Sequence, residues 1–106
     1  MDKEISATEA DNLRKQDANV ILLDVREDPE LEICKIDSAL HIPMSKLAGQ
    51  TDTLPKDCPI IVFCHHGMRS MNVQRYLESK GFDQVINMRG GIHAWANEVD
   101  PQMRQY

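Results

Sequence analysis

The run Pro59-Ile60-Ile61-Val62-Phe63 is apolar throughout and β-branched at three consecutive positions, and Cys64-His65-His66-Gly67 follows it directly. A run with no polar face fits a strand covered on both sides, as in a parallel sheet. Parallel strands need crossover connections, usually helices. Downstream, Val73, Tyr76 and Leu77 share one helical face, and Gly81 stands where a left-handed helix stop is expected. Strand, loop and helix in this order predict an α/β fold with Cys64 at a strand's carboxyl end, where ligands of open α/β sheets gather.

The other segments repeat the alternation. Ser6 and Glu9 form a capping-box pattern, and Ala7, Ala10 and Leu13 recur at helical spacing, which predicts a helix over residues 7–16. Val20-Ile21-Leu22-Leu23, ending at Asp24, predicts a second buried strand, and a short helix is expected after Pro29. Ala39 to Ile42 is a weaker strand candidate closed by Pro43, which opens another short helix through Lys46 and Leu47. Val85 to Asn87 predicts a last strand, Gly90-Gly91 a tight turn, and Ile92 to Glu98 a closing helix with Trp95 in the core. No repeat or linker interrupts the 106 residues, so one domain over 1–106 is expected.

The net charge of -5 argues against a nucleic-acid partner, because neutralising phosphates requires clustered Lys and Arg. No stretch approaches the roughly 18 apolar residues of a membrane span, and Met1-Asp2-Lys3-Glu4 lacks the apolar region of a secretory signal. A cytoplasmic protein with no membrane partner is therefore expected. Cys34, Cys58 and Cys64 form no even disulfide set and no Cys-x-x-Cys pair, so at least one thiol stays free.

A cysteine between a strand end and a helix start has backbone N–H groups and the helix N-terminus converging on its sulfur, which favours the thiolate. The helix dipole supplies about 0.3–1 kcal/mol of this, and larger effects need direct N–H bonds and the Arg69 cation. Gly67 gives the loop freedom to turn its amides inward, Arg69 is suited to pairing with an anionic group, and Ser70 to donating a hydrogen bond or capping the helix. The bland alternative for Cys64 is a core cysteine ending a strand.

Val62 to Ser70, Leu23-Asp24-Val25-Arg26-Glu27, His41-Ile42-Pro43 and Gly90-Gly91-Ile92-His93-Ala94-Trp95 together resemble the rhodanese family across nearly the whole chain. The resemblance implies a five-stranded, mostly parallel sheet flanked by helices on both faces. It also implies transfer of sulfane sulfur through a cysteine persulfide. Cys64 would take sulfur from thiosulfate, release sulfite and pass the sulfur to cyanide, a thiol or a protein partner. His65, His66, Gly67, Met68, Arg69 and Ser70 would surround the sulfur, with Arg69 on the sulfonate, and no cofactor is implied. Where the family has Gly-His-Ile-x-Gly-Ala, this chain has Cys34-Lys35-Ile36-Asp37-Ser38-Ala39, so local backbone there is expected to differ.

Asp24 and Arg26 are expected to form a supporting ion pair near the pocket. His65 and His66 titrate near neutrality and could tune substrate charge, although loop side chains more often face solvent. No metal is expected: among Cys64, His65, His66, His41 and His93 there is no regular ligand spacing, and adjacent ligands wrap an ion poorly. Cys34 is a candidate resolving thiol, with a structural role favoured, and Cys58 is expected to be inert. Two rivals remain. A cysteine phosphatase or arsenate reductase shares this fold, but its loop places five residues between Cys and Arg, whereas only His65, His66, Gly67 and Met68 separate Cys64 from Arg69. A non-catalytic relay or regulatory module is the other, and retention of Cys64, Gly67 and Arg69 argues against a dead site.

Overall fold

In the computed structural model, which describes residues 3–106, five parallel strands run in the order β1-β5-β4-β2-β3. They are β1 (Glu4–Ile5), β2 (Ile21–Asp24), β3 (Leu40–His41), β4 (Ile60–Phe63) and β5 (Val85–Met88). The helices are α1 (Ala7–Gln16), α2 (Asp28–Ile33), α3 (Met68–Ser79) and α4 (Gly91–Glu98), with 3-10 turns at Met44–Gly49 and Thr51–Thr53.

β4 is central, and its alternating side chains serve two cores. Ile60, Val62 and Cys64 pack with Val73 and Leu77 of α3. Ile61 and Phe63 pack on the other face with Ala7 and Ala10 of α1 and Ile92 and Trp95 of α4. Helices therefore cover both faces, which is why the β4 sequence has no polar side. Every β4 residue is at most 1% exposed, and each such burial is worth about 1.5–3 kcal/mol.

Helix α1 starts as its sequence demands. The Ser6 hydroxyl accepts from the Glu9 amide at 3.1 Å, and the Glu9 carboxylate accepts from the Ser6 amide at 3.0 Å. Among the departures from the sequence expectation, three shape the fold most. β1 was not legible, because a two-residue strand has no period; it exists through pairing of Glu4 with Asn87 and Ile5 with Met88. Helix α2 begins at Asp28, so Pro29 occupies its first turn, where a missing N–H costs nothing. The strand expected over 39–42 shrinks to Leu40–His41, because the Ala39 amide turns back to the Ile36 carbonyl at 2.9 Å.

Candidate functional site

The carboxyl end of β4, the loop after it and the start of α3 meet around one sulfur atom, with β5 behind them. β4 ends at Phe63 and delivers Cys64, which is 1% exposed. The loop then turns through Gly67, whose φ of 110° lies in the left-handed region and caps α3. With that turn, the Gly67 amide donates to Cys64 Sγ at 3.1 Å and the Ser70 amide at 3.4 Å, with the Ser70 hydroxyl at 3.5 Å. Burial alone would raise the thiol pKa. The Ser70 hydroxyl and the amides of Ser70, Gly67 and His66 outweigh it and hold the thiol below its ordinary value.

The cradle is held from behind by a residue the sequence reading did not identify. Asn87 of β5 is 2% exposed; its side-chain amide donates to the Gly67 carbonyl at 3.4 Å, and its carbonyl oxygen accepts from the Ser70 hydroxyl. Ser70 has one proton to share among Asn87, the Gly67 carbonyl and the sulfur, so Asn87 fixes where that hydroxyl sits. The Gly90-Gly91 turn braces the loop from α4: the Ile92 amide donates to the Cys64 carbonyl at 2.8 Å and the His93 amide to the His65 carbonyl at 3.1 Å.

Arg69 does not stand free. Its Nη1 and Nη2 each donate to one carboxylate oxygen of Glu30 at 2.7 Å, a two-pronged ion pair. Glu30 also accepts from the Glu27 amide at 2.9 Å and the Tyr106 hydroxyl at 2.8 Å. Arg69, opposed by burial, holds the Glu30 carboxyl down at about 2. Asp24 and Arg26 form the expected ion pair, wholly buried, with Arg26 Nη2 2.8 Å from Asp24 Oδ2. Arg26 also donates to the Cys34 carbonyl at 2.9 Å and the Tyr106 hydroxyl at 3.0 Å. Tyr106 in turn stacks on His65 at 3.7 Å between ring centres, so Arg26, Glu30, Arg69 and His65 are linked through one ring.

A Glu30 carboxyl at about 2 when folded and near 4.5 when unfolded adds stability above pH 4.5, and that stability disappears as pH falls from 4.5 to 2. Glu30→Gln should therefore melt earlier than the parent at pH 7, by about 2 kcal/mol. At pH 2 to 2.5 the two unfolding curves should converge. A gap that persists at pH 2 would mean the carboxylate charge is not what stabilises this corner.

Of the residues predicted to surround the sulfur, Gly67 and Ser70 touch it directly and the His66 amide favours its thiolate. Met68 points outward at 71% exposure. His65 is half-buried under Tyr106, and its imidazole pKa is lowered by burial and then by the neighbouring His66. Cys34 is half-buried, with Sγ 3.9 Å from Arg26 Nη1. The Cys58 thiol is pushed up by burial and by Asp57 and Asp17, as suits an unreactive cysteine. His41 lies apart, against the Arg26 carbonyl at 2.7 Å.

A thiolate cradled by amides suits nucleophilic attack followed by storage of an anionic sulfur adduct. Comparisons with known proteins point the same way. The family model for the rhodanese-like domain matches residues 6–98. The chain is 40% identical over 100 residues to YtwF of Bacillus subtilis, classed provisionally as a sulfurtransferase, covering 94% of this chain and 96% of that protein. It is 36% identical over 95 residues to the thiosulfate sulfurtransferase GlpE of Coxiella burnetii, covering 90% and 88%. A rhodanese-like domain protein from Staphylococcus aureus superposes with a TM-score of 0.84 at 34% identity, covering 92% of this chain and 94% of the other. The sulfur-cradling loop, the five-stranded parallel sheet and these likenesses agree, and the chain belongs to the rhodanese-like domain family.

Proposed function

We propose that the protein is a sulfurtransferase that carries sulfane sulfur as a persulfide on Cys64. The observation that carries this function is the pair of amides, Gly67 and Ser70, aimed at a buried Sγ whose thiolate they stabilise. In the first half-reaction the Cys64 thiolate attacks the outer sulfur of thiosulfate. The Cys64–sulfur bond forms, the sulfur–sulfonate bond breaks with its electron pair leaving on sulfite, and the persulfide keeps one negative charge. In the second, cyanide, a thiolate or a protein acceptor attacks the outer sulfur, and the pair returns to Cys64. Neither half requires proton transfer, which fits a site where His65 and His66 serve no acid–base role.

The named activity of GlpE supports thiosulfate as donor. A low-molecular-weight or protein persulfide is the other donor class, and it would use the same loop as a sulfur relay. Free thiols at Cys34, Cys58 and Cys64 suit a reducing cytoplasm. Among the described residues no helix is long and apolar enough to cross a membrane. Against a phosphatase stands the four-residue spacing between Cys64 and Arg69.

The test is incubation with thiosulfate, and separately with glutathione persulfide, followed by peptide mass analysis. One added sulfur atom on the Cys64 peptide is expected, removable by cyanide as thiocyanate. Hydrolysis of an aryl phosphate without sulfur uptake would overturn the proposal. Arg69→Ala should raise the half-saturating thiosulfate concentration about tenfold, the loss of one charged hydrogen bond competing with Glu30. The lifetime of the persulfide should change little. An unaltered dependence on thiosulfate would remove Arg69 from donor binding.

A further inference from the structure

The loop that presents Cys64 also brings together three imidazoles that sulfur transfer does not use. His65 and His66 follow Cys64 directly, and His93 projects from the first turn of α4, yet one ring nitrogen from each lies within 4.8 Å of the others. Adjacency is no obstacle to shared ligation here. The chain bends at His65 and His66 instead of extending, so consecutive side chains do not alternate; their ring centres are 3.9 Å apart and tilted by 36°. The His66 and His93 ring centres are 5.0 Å apart.

A second observation marks the cluster. His93 Nδ1 is a buried atom with no hydrogen-bond partner among the described residues, whereas His93 Nε2 lies 3.3 Å from the Asn97 side-chain amide, so Nδ1 is the ring nitrogen left without a bond. The arrangement is also anchored. The Tyr106 ring holds His65 by stacking, and the His93 amide bonds the His65 carbonyl at 3.1 Å, which fixes α4 against the loop. A tetrahedral zinc ion, with Zn–N near 2.0–2.1 Å, brings its nitrogens to roughly 3.3–3.4 Å of one another. Closing from 4.8 Å to that spacing is a shift of little more than about an ångström, and His66 is exposed.

We propose that His65, His66 and His93 bind one borderline divalent cation of the zinc class, with a fourth position open, and that its binding slows sulfur loading at Cys64. Imidazole nitrogen is the donor such ions prefer among nitrogen and oxygen ligands. The cation would tie the loop to α4 through side chains as well as backbone, and would sit on the two residues that follow the nucleophile. The effect on loading rests on the sulfur-transfer function above; the binding does not.

Calorimetric titration of the full chain with zinc chloride separates the two. Saturable one-to-one binding is expected for the wild type and for Cys64→Ser, weakened at least about tenfold in His93→Ala and in His66→Ala. These variants lie on different elements, and circular dichroism checks that each is folded; His93→Gln replaces His93→Ala if that variant is not. Zinc should slow thiosulfate-dependent sulfur uptake in the wild type at concentrations that leave His93→Ala unaffected, each rate scaled to its own metal-free value. Absence of saturable binding, wild-type affinity in either histidine variant, or loss of binding in Cys64→Ser would overturn the proposal. Zinc binding by a protein that takes up no sulfur would leave the site standing and remove the transferase function instead.

Discussion

Cys64→Ser is expected to abolish sulfur uptake, by about a thousandfold or more, while leaving the fold nearly unchanged. The size follows from the chemistry. A serine hydroxyl is smaller but faces the same Gly67 and Ser70 amides; it is not ionised near neutrality and forms no persulfide. The site is 1% exposed and packed among Val62, Val73 and Leu77, so exchanging the thiol for a smaller, more polar hydroxyl should cost about 1–3 kcal/mol of stability. Peptide mass after thiosulfate treatment, thiocyanate formation and a thermal melt check the three parts. Sulfur uptake persisting in Cys64→Ser and mapping to Cys34 or Cys58 would show that the carrier has been misassigned.

Gly91→Ala should be the most damaging change outside the loop itself. Gly91 has φ 61°, and a Cβ there would lie 2.5 Å from the Cys64 carbonyl oxygen and 2.6 Å from that of His65. Those neighbours are backbone and cannot swing aside. Accommodation requires α4 and the loop to separate, which lengthens the Ile92-to-Cys64 and His93-to-His65 hydrogen bonds that brace Cys64. The expected cost is about 2–4 kcal/mol of stability, from left-handed strain and the lost bonds. Because Cys64 is displaced by a fraction of an ångström to about an ångström, the proposed sulfur transfer should slow on the order of 100-fold. Gly49→Ala is the control: nothing lies within 4 Å of its added Cβ, and both quantities should stay near those of the parent. Equal behaviour of the two variants in melting and turnover would show that the Gly90-Gly91 turn does not position the loop.

The local part of the site was readable from residue order. β4, the loop and α3 are contiguous, and each carries its own signal: a β-branched run, a glycine at the turn, and a helical face starting at Met68. Cys64, Gly67 and Ser70 therefore occupy the positions their order implies. The ion pair between Asp24 and Arg26 was equally legible, because two residues apart at a strand end leaves little else within reach. Arg69 was read as a partner for an anionic group brought to the sulfur. Its partner, Glu30, lies 39 residues away on α2, a helix that buries none of its residues and so has a weak pattern.

Residue order by itself determined the α/β class, the placement of Cys64 at a strand's carboxyl end and the amide-rich loop around it, because apolar runs, helical spacing and turn glycines are signals that each segment carries alone. Tertiary structure decided what surrounds that loop. Asn87 behind it, Glu30 on Arg69, Tyr106 on His65 and His93 beside His66 all come from segments that meet only when β2, β4 and β5 align. A sequence carries no periodic signal for contacts closed across a sheet, since the energy that brings them together comes from burying the two apolar cores on either side of it.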